Sequence, residues 1–189
     1  MSVLVVLLAA VVALLSILVA GLLRSHSEIH RALAELAERT GPGGGAAPGP
    51  AATGRPAADL AGASPGGEPV SVAVAGVGHG TLLVFLTTTC TTCLDFWDAL
   101  TRPRSRRLPR DVHLVIVTMD GAAEDAARVR ELAPDDVPVV MSGAAWRDYD
   151  VTAAPSFAYV DGPTATVTAR GVARGWDGVR DVVAHTVTR

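Results

Sequence analysis

The first part of the chain is dominated by one long apolar run. Residues 3–23 carry no charged side chain, and only Ser16 and Gly21 interrupt the apolar pattern. At ~1.5 Å of rise per residue, a helix over this run spans ~30 Å, which is the thickness of the hydrocarbon core of a bilayer. A cleaved signal peptide would need a basic residue before the run and a small-residue cleavage site after it, whereas the chain continues as Leu-Leu-Arg. We therefore predict an uncleaved transmembrane anchor over residues 1–24.

Two further segments separate this run from the rest of the chain. Residues 25–40 keep a helical spacing of apolar positions, with Ile29, Leu33 and Leu36 on one stripe, and predict a short juxtamembrane helical stalk. Residues 41–69 consist largely of Gly, Pro and Ala, with almost nothing to bury, and predict a disordered linker. A flexible coil of this length would have a root-mean-square end-to-end distance of ~30 Å. The domain that follows would therefore be tethered to the membrane but free to rotate.

From residue 70 to residue 189, strand-like and helix-like patterns alternate. A continuous apolar run such as HLVIVT is typical of a fully buried strand, and helical periodicity returns between such runs. The predicted strands cover residues 70–75, 81–86, 113–118, 137–141, 156–160 and 164–169, and the predicted helices cover residues 91–100, 122–132, 144–149 and 176–187. Alternating strands and helices, followed by a hairpin and a closing helix, predict an α/β domain whose sheet is covered on both faces.

Composition narrows the possible classes of function. The formal net charge is −3, which argues against a nucleic-acid-binding protein because such proteins carry an excess of basic residues. All 16 basic residues are arginine, and the abundance of Ala, Gly, Val and Arg is typical of a GC-rich bacterial coding sequence. The chain has only two cysteines, Cys90 and Cys93. A disulfide scaffold needs more cysteines, spread along the chain, so this pair indicates redox chemistry or metal binding.

The cysteine pair lies where a buried strand meets a helix, in the sequence VFLTTTCTTCLDFW. Cys90 would begin the helix, where unpaired backbone N–H groups and the helix dipole stabilise an anion. Its thiol would then lose a proton more readily, and the thiolate is the nucleophile in disulfide exchange. Cys93, one turn later, would attack the mixed disulfide and release the partner. The hydroxyl groups of Thr89, Thr91 and Thr92 are candidates for tuning the pKa of the thiols.

A metal site is the main alternative interpretation of two closely spaced cysteines. A structural zinc ion needs a second pair of ligands at suitable spacing, and the sequence offers no further cysteine and no matching histidine pair near Cys90. A copper-handling site would place Met or His beside the thiols, and residues 84–100 contain neither. We therefore predict no metal and no cofactor, with metal delivery by the reduced pair as an open alternative.

A second constellation lies downstream, in the sequence YDVTAAPSFAYVDG. Here a turn and then Pro155 precede an apolar strand, and this segment together with the upstream strand, CxxC pair and helix resembles the thioredoxin superfamily. The resemblance covers residues 70–189 and implies a thioredoxin-like fold, in which a central mixed sheet is flanked by helices. It also implies that Pro155 is a cis-proline packed against the cysteines, and that the backbone of Ala154 can pair with a substrate chain.

The segments that precede the domain, and the extra elements within it, are similar to those of one branch of that superfamily. The anchor, the stalk and the extra strand and short helix before Pro155 resemble the TlpA-like proteins and the MauD-like methylamine-utilisation accessory proteins, which are implicated in making disulfides outside the cytoplasm. The sequence departs from the usual thioredoxin pattern at two points. Thr89 stands where tryptophan usually precedes the first cysteine, and the strand at residues 81–86 carries no acidic residue. These departures leave the direction of electron flow open.

The sequence thus predicts a membrane-tethered thiol–disulfide oxidoreductase that acts through Cys90 and Cys93, with Pro155 shaping the docking groove. Its expected partners are exported or membrane proteins with thiols or disulfides, together with a membrane redox partner. A non-catalytic binding or assembly module with the same fold is the alternative function. Two arguments about the compartment conflict, because arginines follow the anchor and none precedes it, which favours a cytoplasmic domain, whereas the similar families work outside. We expect the domain on the outer face, with the cytoplasm as the alternative.

Overall fold

The structure, a computed structural model, describes residues 54–188. The strands are β1 (Arg55–Pro56), β2 (Leu60–Ala63), β3 (Pro69–Val72), β4 (Gly80–Phe85), β5 (Val112–Thr118), β6 (Val139–Met141), β7 (Ser156–Asp161) and β8 (Thr166–Val172). The helices are α1 (Thr91–Thr101), α2 (Ala126–Leu132), α3 (Gly143–Asp148) and α4 (Trp176–Val187). In this part of the chain the strands form one mixed sheet in the order β1-β8-β7-β4-β5-β6-β2-β3.

The centre of this sheet determines where the cysteines lie. β4 runs parallel to β5, with Leu82 opposite Leu114, and antiparallel to β7, with Phe85 opposite Ser156. Every residue of β4 is buried, as expected of a strand that has neighbours on both sides and covered faces. β4, α1 and β5 therefore form a parallel crossover unit, and the loop that follows β4 carries the two cysteines to the carboxyl end of the strand.

Alternation along β4 divides the core between the two faces of the sheet. Leu82 packs on one face with Phe96 of α1 and with α4. Leu83 and Phe85 pack on the other face with Trp146 of α3. The rings of Phe85 and Trp146 meet edge to face with their centroids 5.7 Å apart, an arrangement that aromatic pairs favour. Helices cover both faces, which is the α/β class that the sequence predicted.

The ordered domain begins earlier than the predicted boundary at residue 70. β1 and β2 lie inside the predicted linker of residues 41–69, so disorder is the wrong prediction for these strands. Leu60 is fully buried, and the Asp59 carboxylate accepts a hydrogen bond of 2.8 Å from the backbone N–H of Val74. A side chain at Gly62 would collide with the backbone oxygen of Met141. One of the small residues that indicated a linker, Gly62, is therefore needed for the close approach of β2 to β6.

Other predicted elements differ only at their ends. The strand predicted over residues 70–75 ends at Val72. The helix predicted from residue 122 begins at Ala126, because the Asp125 carboxylate caps it by accepting a hydrogen bond of 2.9 Å from the N–H of Ala127. The closing helix α4 has the predicted bounds, since its apolar positions face the core at helical spacing.

The predicted anchor over residues 1–24 and the predicted stalk over residues 25–40 lie outside the described residues, as does the linker up to residue 53. Both stay predictions from the sequence. Among residues 54–188, no helix is both long enough and apolar enough to cross a membrane.

Candidate active site

Cys90 occupies the N-cap position of α1, directly after the loop that leaves β4. Its backbone is extended, with φ −85° and ψ 124°, and its carbonyl oxygen accepts a hydrogen bond of 3.1 Å from the N–H of Leu94. The first turn of α1 contains no acidic side chain, so the partial positive charge of the helix N-terminus is not neutralised there. This position favours a thiolate at Cys90.

The two thiols have different environments although they are one helical turn apart. Cys90 is half-buried, whereas Cys93 is fully buried. A hydrogen bond from Cys93, assisted by the backbone N–H groups of Cys93 and Thr92, lowers the pKa of Cys90. Burial raises the pKa of Cys93 to about 11. The accessible thiol is therefore the more acidic one, and the buried thiol keeps its proton at neutral pH.

The threonines around the pair contribute unequally. The Thr92 hydroxyl also lowers the pKa of Cys90, after the stronger effect of Cys93. Thr89 and Thr91 are exposed, and none of the hydrogen bonds within residues 54–188 joins either of them to a sulfur atom. Thr87 donates its hydroxyl to Cys93 Sγ at 3.8 Å. Thr87 and Thr92 are thus the threonines that the structure brings to the thiols.

The segment that contains Pro155 lies beside Cys90. The peptide bond between Ala154 and Pro155 is cis, which is the conformation that the thioredoxin resemblance implies. The carbonyl oxygen of Ala154 is 3.8 Å from Cys90 Sγ and accepts a hydrogen bond from that thiol. β7 begins at Ser156 and pairs with the end of β4, so the sheet holds this segment next to the cysteine loop. The structure thereby brings the predicted site residues Cys90, Cys93, Ala154 and Pro155 to one end of the sheet.

Trp97 holds the loop between β4 and Cys90 in place. It is fully buried in α1, one turn beyond Cys93, and its indole Nε1–H donates a hydrogen bond of 3.2 Å to the carbonyl oxygen of Thr87. This bond ties the loop before Cys90 to the helix that carries Cys93. Trp97 is therefore a core residue that also fixes the position of Thr87 against the buried sulfur.

A buried carboxylate also holds this loop, and the sequence analysis missed it. Glu124 is only 8% exposed, and its Oε2 accepts hydrogen bonds from Thr88 N–H at 3.1 Å and from Thr88 Oγ1 at 2.5 Å. No ion pair between described residues includes Glu124. Parallel strands such as β4 and β5 end at the same edge of a sheet, so the loops that follow them are neighbours. From this rule the sequence could have predicted that the loop after β5, which contains Glu124, lies beside the cysteine loop. We interpret Glu124 as a positioning residue for the loop before Cys90.

The chemistry that the described residues of the site offer is that of two thiols and their hydrogen-bonding neighbours. Within residues 54–188, no group of three or more His, Cys, Asp or Glu side chains is arranged to hold a metal ion. The groups that surround Cys90 are hydroxyls, backbone N–H groups and a carbonyl oxygen, which donate or accept hydrogen bonds with the thiol or with a peptide backbone. This arrangement can stabilise a thiolate at the accessible Cys90, and it keeps the buried Cys93 as a protonated thiol that reacts second.

Comparisons with known proteins identify the class of fold. No protein family and no curated protein matches the sequence. Among solved structures, a thioredoxin-family thiol:disulfide interchange protein from Chlorobium tepidum TLS matches with a TM-score of 0.54 and 19% identity, over 71% of this chain and 97% of that chain. The exposed lipoprotein thioredoxin Etrx1 from Streptococcus pneumoniae matches with a TM-score of 0.55 and 16% identity, over 68% and 99%.

A third solved structure agrees with these two. A secreted Mycobacterium tuberculosis disulfide oxidoreductase matches with a TM-score of 0.51 and 18% identity, over 67% of this chain and 95% of that chain. The described domain therefore has a thioredoxin-like fold, as the sequence predicted. The neighbours carry names of thiol–disulfide exchange proteins, and at these identities the likeness establishes the fold.

Proposed function

We propose that the protein is a thiol–disulfide oxidoreductase that works through Cys90 and Cys93. The observation that supports this most strongly is the opposite displacement of the two pKa values, lowered at the half-buried Cys90 and raised to about 11 at the buried Cys93. A nucleophile must be both accessible and deprotonated. A resolving thiol must stay inactive until a mixed disulfide has formed beside it.

The reaction proceeds in two balanced steps. The Cys90 thiolate attacks one sulfur of a substrate disulfide, so that a Cys90–substrate disulfide forms and the other substrate sulfur leaves as a thiolate. Cys93 then loses its proton and attacks Cys90 Sγ, which forms the Cys90–Cys93 disulfide and releases the second substrate thiolate. The substrate is reduced by two electrons and the protein is oxidised by two. The same steps in reverse oxidise a substrate dithiol.

The surface around Cys90 suits an extended peptide. Thr89, Thr91 and Ala153 are exposed near the thiol, and none of them carries a charge. The Ala154 backbone lies beside Cys90 Sγ and is the expected pairing partner of a substrate chain. We therefore expect protein substrates, bound through backbone contacts next to their cysteine.

The membrane-tethered, TlpA-like or MauD-like form of this function is part of the proposal. It is supported by the uncharged run of residues 3–23 and by the Gly/Pro/Ala-rich stretch that follows. Solved neighbours are described as an exposed lipoprotein and as a secreted protein, which agrees with a domain outside the cytoplasm. A reporter enzyme that is active on only one side of the membrane, fused after Arg189, tests the compartment: activity only in the cytoplasmic reporter would contradict the outer location.

Trapping of mixed disulfides tests the catalytic claim. The Cys93→Ser variant keeps a hydroxyl donor beside Cys90 but cannot resolve the first step, so it should accumulate reductant-sensitive adducts with other proteins in its native membrane. Cys90→Ser is the matched control, because it keeps only the buried thiol and should form none. If neither variant forms adducts, and if the double variant Cys90→Ser plus Cys93→Ser still supports the protein's role in the cell, a non-catalytic binding or assembly module is favoured instead.

A further inference from the structure

The loop between β4 and Cys90 carries a hydroxyl group that contacts the buried sulfur. Thr87 Oγ1 donates a hydrogen bond of 3.8 Å to Cys93 Sγ. Thr87 is half-buried, whereas Cys93 is fully buried. Within the described residues, the other side-chain hydrogen bond at this sulfur joins it to Cys90. The Thr87 hydroxyl is therefore the side-chain donor that remains at Cys93 Sγ once Cys90 has become part of a mixed disulfide.

The second step of the proposed exchange depends on the environment of Cys93. This thiol must lose its proton and carry a negative charge before it attacks Cys90 Sγ, and burial opposes that charge. A backbone hydrogen bond from Thr87 and the Thr87 hydroxyl act in the opposite direction, because both lower the pKa of Cys93. Among residues 54–188, Cys90 is the one titratable group that alters this pKa, and β4 contains no acidic side chain.

Backbone contacts on both sides of Thr87 hold its hydroxyl in place. The N–H of the preceding residue, Leu86, donates a hydrogen bond of 3.0 Å to the backbone of β5. The N–H of the following residue, Thr88, donates one of 3.1 Å to Glu124 Oε2. The carbonyl oxygen of Thr87 itself accepts the hydrogen bond from Trp97. A donor that is fixed in this way does not have to reorganise when charge develops on the sulfur.

We propose that Thr87 controls the second step of the exchange, because its hydroxyl stabilises the Cys93 thiolate that attacks Cys90. In this step the Cys93 proton passes to the solvent and a bond forms between the two cysteine sulfurs. The bond between Cys90 and the partner breaks, and the partner sulfur leaves as a thiolate with the bonding electron pair. Thr87 acts through Cys93, so it is a positioning residue. This inference rests on the proposed function of the cysteine pair.

The expected effect of removing the hydroxyl follows from two opposing changes. Loss of one hydrogen bond to the thiolate should reduce the thiolate population of Cys93 at pH 7 about tenfold. The remaining thiolate is a better nucleophile because its pKa is higher, with a Brønsted slope of about 0.4–0.5. Together these changes should slow the attack on Cys90 about three- to fourfold.

Reaction with dithiobis(nitrobenzoate), a small aromatic disulfide, separates the two steps. Reduced full-length protein in mild detergent is mixed with the reagent in a stopped-flow instrument, and the release of thionitrobenzoate is followed by absorbance. Attack by Cys90 releases the first equivalent at a rate proportional to the reagent concentration, and attack by Cys93 releases the second at a rate independent of it. Thr87→Val, which keeps the side-chain shape, should slow the second phase about three- to fourfold at pH 7 and change the first phase less.

Further variants distinguish the hydroxyl from a general effect on the loop. Thr87→Ser should restore the second phase to within about twofold of the wild-type rate, and Thr87→Ala, which differs from it by one oxygen atom, should not. Thr168→Val is the matched control, because Thr168 is half-buried in β8 and its hydroxyl bonds to the Tyr159 carbonyl oxygen. In Thr87→Val the pH at which the second phase stops accelerating should also move upward, which a loosened loop alone would not cause.

The outcomes separate this inference from the proposed function. The role of Thr87 is overturned, and the proposed function is left standing, if Thr87→Val leaves the second phase unchanged, if it slows that phase without moving its pH profile, or if Thr87→Ser does not restore the rate. A wild-type protein without a second phase independent of the reagent would overturn the proposed function, and this inference with it.

Discussion

The sharpest consequence of the site geometry concerns the unequal reactivity of the two thiols. We compare the single variants Cys90→Ser and Cys93→Ser, each of which retains one thiol and a hydroxyl at the other position. The main cause of the raised pKa of Cys93 is its burial, which substitution of Cys90 leaves in place. The serine at position 93 keeps an O–H donor beside Cys90, whose lowered pKa depends first on its contact with Cys93.

The size of the effect follows from the two pKa values. With a pKa of about 11, Cys93 is a thiolate in roughly one molecule in 10,000 at pH 7. A cysteine with the ordinary pKa of 9.0 is about 1% thiolate at pH 7, and the lowered pKa of Cys90 places it above that fraction. The thiolate populations thus differ by more than about 100-fold, and burial of Cys93 slows its reaction further.

The assay is alkylation by iodoacetamide, followed by mass spectrometry of full-length protein in mild detergent between pH 6 and pH 10. The Cys93→Ser variant should react much faster at pH 7 than the Cys90→Ser variant, although the difference is smaller than the wild-type populations imply, because Cys90→Ser also removes the smaller contribution of the Cys90 charge to the raised pKa of Cys93. In denaturant both variants should react at nearly the same rate, because unfolding gives both thiols the ordinary pKa. Equal rates in the native proteins, or faster modification of Cys93, would refute the assignment of Cys90 as the nucleophile.

Three further predictions follow from the contacts of the site. Glu124→Gln should lower the free energy of unfolding by about 1–3 kcal/mol, because a neutral amide oxygen accepts the two Thr88 hydrogen bonds more weakly than a carboxylate oxygen does, whereas the exposed control Glu131→Gln should change it by less than about 0.5 kcal/mol in urea titrations. Trp97→Phe should cost about 1–3 kcal/mol in the same assay, because it removes an indole donor and leaves buried space; a neutral result would contradict the supporting role. The reduced wild-type protein should lose stability as pH rises from about 8.5 to about 11, because the unfolded chain releases the Cys93 proton in this window and the folded chain does not. Thermal melts should show a smaller loss for Cys93→Ser, and an equal loss would contradict the assignment.

The local pattern of the sequence was enough to predict the centre of the domain. β4, α1, β5 and α4 are long and strongly patterned, so their apolar spacing identifies them without knowledge of their neighbours. The placement of Cys90 at a helix N-terminus follows from the same pattern, because the strand and the helix on either side of it are both clear. The α/β class was predictable for this reason, and the thioredoxin-like fold was predictable from the resemblance that the CxxC pair and the Pro155 segment carry.

The features that the sequence did not predict depend on contacts between distant segments. β2 is short and rich in Gly and Ala, and its pairing with β3 and β6 and the burial of Leu60 reveal it as a strand. Glu124 falls in the first turn of the helix predicted over residues 122–132, where an acidic residue is ordinary, and its role depends on Thr88, which is 36 residues away along the chain. Such contacts leave no periodic signal, so the structure was needed to find them.

The reduction potential of the cysteine pair tests the central claim most directly. Full-length protein in mild detergent is equilibrated in glutathione and dithiothreitol redox buffers, quenched with acid and alkylated, and the oxidised fraction is counted by mass spectrometry. We predict a two-electron equilibrium between the Cys90–Cys93 disulfide and the dithiol, with a midpoint between about −120 and −270 mV, the range of thiol–disulfide exchange proteins. A midpoint below about −300 mV, which is typical of structural disulfides, or a pair that forms no intramolecular disulfide, would contradict the proposed function.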